Sequence, residues 1–236
     1  STGELLVSYK PSEKKDPEPL PEEVKRPDPP EKISTVEELY LKGHRIQQFY
    51  SPTLNAMDYY EEALKRDPSD IRTNTAIGYT YLRNGDYTNA RKYLSTAIKR
   101  LTRDYTRPYS CEPLYLQGLT LKALEIYDEA AETLYRATWD YAYHAASYLE
   151  LARISSMKGN KQKALAETEE SLSTNARNNS AIALKASLQR HMKDYMGALK
   201  TLNNLPGLGL RKNPRPTAQI KRFFNTTKGY SHHFSS

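Results

Sequence analysis

With 38% hydrophobic residues among 236 and a mean hydropathy of -0.80, the chain is too polar to fill one large globular core. No stretch approaches the roughly 18 consecutive apolar residues that a membrane helix needs, which predicts a soluble chain. The formal net charge of +7 and a pI near 9.2 would suggest nucleic acid or an anionic membrane as partner if the excess were spread over a folded surface. Instead, six basic residues and no acidic one lie between Gly207 and Ser236, which leaves the rest of the chain near neutral. One cysteine, Cys111, excludes an intramolecular disulfide. Neither an initiator Met nor a signal sequence precedes the body of the chain, so a processed protein or a piece of a longer one is expected. The compartment stays open, with the cytoplasm favoured.

Residues 1–34 have their own composition. Seven of the 14 prolines fall here (Pro11, Pro17, Pro19, Pro21, Pro27, Pro29 and Pro30), interleaved with Glu, Asp and Lys. Proline at that density removes backbone donors and favours extended polyproline II, so a spacer without helix is expected from Lys10 to Lys32. Glu4-Leu5-Leu6-Val7-Ser8-Tyr9 has the look of a terminal strand but has no sheet to join. Two readings are open: the end of another domain, or an irregular arm packed along the rest of the chain.

From residue 35 to 205 a period takes over. Ala56, Ala90, Ala130, Ala164 and Ala198 stand 34, 40, 34 and 34 residues apart. The clearest copy has Ile77-Gly78, Tyr81, Gly85, Tyr87, Ala90, Leu94 and Ala97 in phase. The first offers Gly43, Ala56, Tyr60 and Ala63, and the third Gly118, Tyr127, Ala130, Leu134 and Ala137. The fourth keeps Tyr148, Ala152, Gly159 and Ala164 but places Thr168 and Ser171 where an apolar and a small residue are usual; the fifth has Ile182, Ala186, Tyr195, Ala198 and Leu202. About 34 residues is the length of one helix-turn-helix unit, and these residues resemble five tetratricopeptide repeats (TPRs). The resemblance implies an all-α, right-handed superhelix with units at about 36–70, 71–104, 111–144, 145–178 and 179–206, whose first helices line a concave side. A six-residue excess within Leu101 to Pro113 predicts an extended second helix and loop there.

A second resemblance rests on segment order and short motifs: the strand-like end, the Pro-rich linker, Thr35-Val36-Glu37-Glu38-Leu39-Tyr40, and Arg136-Ala137-Thr138-Trp139. It is similar to the C-terminal TPR part of large bacterial proteins whose N-terminal part is a β-rich, mutarotase-like domain of unknown function. That implies a carbohydrate-related context for a parent protein and no activity for this piece. In residues 206–236, Gly207, Gly209, Pro214 and Pro216 break regular structure, and Ala218 to Phe224 could form a short capping helix. An arm for an anionic partner and a non-native end are the other readings of this tail.

No catalytic constellation emerges. His44, His144, His191, His232 and His233 lack metal-ligand spacing, and HExxH, paired cysteines and GxSxG are absent, so neither metal nor cofactor is expected and this chain is read as no enzyme. The binding candidates come from repeat phase. If the first helices keep it, the concave side receives Tyr40, His44, Tyr79, Arg83, Tyr115, Lys122, Arg153 and Arg190. Tyr and Arg combine large contact area with directional hydrogen bonding, which suits capture of a protein or peptide bearing acidic or C-terminal carboxylate groups; a generic wet groove is the alternative. The Lys/Asn carboxylate clamp of chaperone-tail TPR proteins is missing, since Tyr40/His44, Thr75/Tyr79 and Tyr115/Leu119 stand there. Asp104 and Glu112 interrupt the basic and aromatic run around Arg103, Tyr105, Arg107 and Tyr109, so nucleic acid is disfavoured as partner. The expected role is a docking scaffold, toward another protein or another domain of the same protein. An accessory module of a carbohydrate-active enzyme whose catalytic domain lies elsewhere, and polyanion binding through the tail, compete with it.

Overall fold

A computed structural model describes residues 7–11, 26–49 and 53–203. The strand-like end before Val7, most of the Pro-rich linker and the basic tail lie outside the described residues. Among the described residues ten α-helices run in order: α1 (Val36–Phe49), α2 (Ala56–Arg66), α3 (Ile71–Arg83), α4 (Tyr87–Leu101), α5 (Glu112–Ala123), α6 (Tyr127–Ala137), α7 (Tyr141–Met157), α8 (Lys161–Thr174), α9 (Asn179–His191) and α10 (Tyr195–Leu202). No strand occurs among the described residues.

Local chemistry sets the helix starts. Asn55, Asp70, Asp86, Asp140, Asn178 and Asp194 each accept a backbone N–H of the first turn, which satisfies a donor the helix leaves open. The turns share a device as well. Five residues before Ala90, Ala130, Ala164 and Ala198 the backbone is left-handed, at Gly85 and Gly159 with φ of 80° and at Glu125 and Lys193 with φ of 62° and 67°. Glycine takes this conformation without strain, whereas Glu125 and Lys193 accept a Cβ clash to keep the turn.

Each odd-numbered helix pairs with its successor, and each even-numbered helix then packs on the first helix of the next unit. Small residues let the pair close. A Cβ on Gly43 would stand 2.6 Å from Tyr60 Cε1, one on Gly78 2.6 Å from Leu94 Cγ, and one on Gly118 2.5 Å from Leu134 Cγ. Ala90, Ala130 and Ala164 have no exposed surface, whereas Ala56 is half-buried because α2 starts at that residue and lacks the turn that precedes its counterparts. The departures in the fourth unit are satisfied internally. Thr168 Oγ1 donates to Ala164 O at 2.7 Å and Ser171 Oγ to Ala145 O at 2.7 Å, so both polar groups are buried with partners.

The core is a series of small clusters rather than one body. Leu121, Ala130, Leu134, Leu151 and Ile154 join α5, α6 and α7, while Ile182, Ala186 and Leu202 form a separate group between α9 and α10. That is the one-dimensional arrangement of a repeat solenoid. Consecutive first helices (α1 and α3, α3 and α5, α5 and α7, α7 and α9) touch one another, and no pair of second helices does so to the same degree among the described residues. Elements on the inside of a curved stack are closer together, so the first helices form the concave layer.

Several boundaries differ from expectation. Ile33, just ahead of α1, is buried with Leu39, Ile46, Tyr59 and Ala63, so the core starts before residue 35. Pro30–Lys32 forms one 3-10 turn within the stretch expected to lack helix, with proline at the first position where its missing N–H costs nothing. α7 begins at Tyr141, four residues ahead of the expected 144/145 boundary, because Asp140 supplies the cap. The insert resolves into α4, which runs 15 residues against 11 in α2 and α6, and a loop over 102–111. Tyr195, whose repeat phase matches that of Tyr127, is 60% exposed, whereas Tyr127 packs on a cluster that includes α7 of the next unit; the chain after Asn203 lies outside the described residues.

Candidate functional site

The concave layer holds a groove of about 480 Å³ between α1, α3, α5 and the start of α7. Tyr40, His44, Tyr79, Arg83 and Tyr115, all taken from repeat phase, meet in its wall. Gln47, Gln48, Arg72, Thr75, Ala76, Glu112, Leu116 and Tyr143 complete it. Of these, Gln47, Ala76, Glu112, Leu116 and Tyr143 carry no repeat-phase signal. Tyr143 comes from the first turn of α7, which the expected boundary had assigned to the preceding unit.

The residues hold each other in place. Tyr40 stacks on His44 with ring centroids 5.5 Å apart, and the Arg72 guanidinium lies 4.7 Å above the Tyr40 ring. Arg72 is also bidentate to Glu37, with Nη1 donating to Oε1 at 2.9 Å and Nη2 to Oε2, which holds the Glu37 carboxyl below its usual range. Gln47 receives the Tyr60 hydroxyl at 2.9 Å and donates to Thr80 Oγ1 at 3.1 Å, so it ties α1 to α2 and α3. On the far wall Tyr115 and Tyr143 pack with centroids 5.5 Å apart. Burial, followed by the Glu112 charge, pushes the Tyr143 hydroxyl up to about 12 and raises that of Tyr40; burial and then Glu150 raise that of Tyr115. All three stay protonated at neutral pH and can donate to a ligand.

Arg83 stands apart from this network. Its guanidinium lies 5.7 Å from the Tyr79 ring centroid, and it has no ion pair or hydrogen bond among the described residues. Tyr79 is 40% exposed, the most open aromatic face in the groove.

Lys122 and Arg153, expected beside these residues, do not line the groove. Glu150 on α7 is buried, and a buried carboxylate needs compensating charge; Lys122 Nζ and Arg153 Nη1 both donate to it. Arg190 sits two units away on α9, with Nη2 3.3 Å from His191 Nε2. The basic and aromatic insert is tied down locally: Arg103 pairs with Asp104, and Arg107 Nη2 donates to Trp139 O at 3.0 Å. Cys111 is buried, and burial raises its thiol above the usual range. No group of three or more His, Cys, Asp or Glu that could hold a metal, and no helix long and apolar enough to cross a membrane, occurs among the described residues.

Comparison with known proteins agrees with this fold. The tetratricopeptide repeat family matches residues 59–92, which run from α2 through α3 into α4. Among solved structures, MamA is 21% identical over 69% of this chain and 91% of its own, with a TM-score of 0.59. PilF of Pseudomonas aeruginosa is 22% identical over 72% of this chain and 74% of its own, with a TM-score of 0.61. YrrB, described as a TPR protein with an unusual peptide-binding site, is 16% identical over 78% and 88%, with a TM-score of 0.55. The chain therefore has the fold of a tetratricopeptide-repeat superhelix, and the stretch 59–92, which straddles the first and second units, matches the sequence model of that repeat family.

Proposed function

We propose that this chain is a docking module that holds a peptide or protein segment in the groove formed by its first three units and the start of the fourth. The observation that carries this is the wall itself. Tyr40, Tyr79, Tyr115 and Tyr143 place four aromatic rings along one concave surface, next to an arginine with no ion pair among the described residues. Large rigid aromatics and arginine contribute most of the binding energy at protein interfaces, and a groove whose backbone is fixed by packed helices loses little entropy on binding. YrrB, which has the same fold, is described as having a peptide-binding site.

The partner is another protein or another domain of a longer polypeptide, as the likeness in segment order to bacterial proteins with a β-rich N-terminal domain suggests. Replacing both Tyr79 and Arg83 by alanine should reduce capture of the partner from a lysate of the source organism at least about tenfold, at an unchanged melting temperature, because both side chains are exposed. A chain shortened at Asn203 separates the groove from the basic tail. If the double variant captures every partner and the shortened chain none, the groove reading is wrong and the tail carries the binding.

A further inference from the structure

The charges in and beside the groove are unequally committed. Arg72 is bound to Glu37, and Lys122 and Arg153 are bound to Glu150. Two charged side chains in the wall have no ion pair or hydrogen bond of their own among the described residues, and they have opposite sign: Arg83 and Glu112. The fold puts them at opposite ends. Arg83 is the last residue of α3, and Glu112 is the first of α5. First helices of successive units run the same way in a helix-turn-helix solenoid. The 13 residues of α3 span the groove, about 18 Å at 1.5 Å per residue. Tyr79 stands one turn before Arg83, and Tyr115 and Leu116 one turn after Glu112, and all three line the groove together with Tyr143.

Resting on the groove reading above, we propose that its ligand is an extended peptide with one acidic and one basic side chain on either side of an apolar or aromatic stretch. The acidic group pairs with Arg83 and the basic group with Glu112. An extended chain rises about 3.3 Å per residue, so a span of about 18 Å sets the two charges roughly five residues apart. A uniformly acidic peptide, which the arginines by themselves would suggest, would place a carboxylate against Glu112, and like charges brought together in an interface are a strong cause of rejection.

A random library of peptides about twelve residues long, displayed on phage, tests this when selected in parallel on the wild-type chain and on Arg83→Glu, Glu112→Lys and Tyr79→Ala. Both reversed residues are exposed, so the fold should tolerate either change, and a melting curve on each variant checks that. Wild type should enrich peptides with an acidic and a basic residue about five positions apart. Arg83→Glu should lose the acidic preference and keep the basic one, and Glu112→Lys the reverse, each with about a tenfold drop in binding of the wild-type winners. Peptides that need Tyr79 but carry no such pair, or that bind both reversed variants unchanged, would overturn the charge pattern and leave the groove reading standing. Peptides that bind Tyr79→Ala as well as wild type, or no enrichment at all, would overturn both.

Discussion

Ala130 has no exposed surface and stands among Leu121, Leu134, Leu151 and Ile154, where three helices meet. A larger side chain there must push neighbours off their rotamers, so Ala130→Leu should cost about 1–3 kcal/mol, read as a lower denaturation midpoint. An unchanged midpoint would mean that the repeat register is misplaced. Glu167 illustrates the other kind of single-residue constraint. It is only 8% exposed, its Oε2 has no hydrogen-bond partner among the described residues, and burial raises its carboxyl above the usual range against the opposing effects of a Ser155 hydrogen bond and of Lys163 at 3.8 Å. A position of that kind is held by packing of the helices around it, since its own polar chemistry opposes burial.

At the scale of elements, the end of the linker behaves as part of the first unit. Ile33 inserts between α1 and α2, Tyr59 donates its hydroxyl to Asp28 O at 3.1 Å, and Arg66 donates Nη1 to Ile33 O at 2.5 Å. Arg66 is itself positioned by Glu62 one turn back, at 2.9 Å. Arg66→Ala should therefore release the 3-10 turn at Pro30–Lys32 while the remaining helices stay folded. Hydrogen exchange with mass-spectrometric detection is the check: the amides of Lys32 and Ile33, bonded at 3.0 and 3.2 Å to Pro29 O and Pro30 O, should exchange at least about tenfold faster. Unaltered protection would assign the docking to Ile33 burial and the Tyr59–Asp28 bond instead.

Across the whole molecule, ion pairs bridge neighbouring helices at several junctions: Arg72 with Glu37, Arg91 with Glu129, Lys158 with Asp128, and Lys185 with Glu169. Most of these are exposed and contribute little each. The exception lies between the third and fourth units, where Glu150, 7% exposed at its side chain, holds Lys122 of α5 and Arg153 of its own helix. Glu150→Ala leaves two cations close together without their anion, and should destabilise by about 1–3 kcal/mol. Because a solenoid is nearly one-dimensional, the loss should appear locally. Exchange should rise in α7 and at the α5 contact before it rises in α1 to α4, and uniform acceleration along the chain would contradict the stack of small clusters described above.

The sequence by itself determined the repeat. Alanines in phase, with glycines twelve or thirteen residues ahead of three of them, specify two helices in close approach, and five copies leave one way to bury their apolar faces. Phase likewise put Tyr40, His44, Tyr79, Arg83 and Tyr115 on one side, since a helix of known face and direction fixes where every fourth residue points. Tertiary structure alone decided the rest. Whether a cation of the first helices faces a ligand or a carboxylate depends on the neighbouring unit: Lys122 is drawn to Glu150 and Arg72 to Glu37, across gaps of 28 and 35 residues that no local pattern encodes. Tyr143 and Glu112 enter the groove through the starting points of α7 and α5, and those starts are set by Asp140, whose carboxylate accepts both Ala142 N and Cys111 N. Periodicity is a property of one helix pair, and it is legible in the residues that make it. The balance of charge in the groove is a property of how three pairs stack, and only the stacked chain contains it.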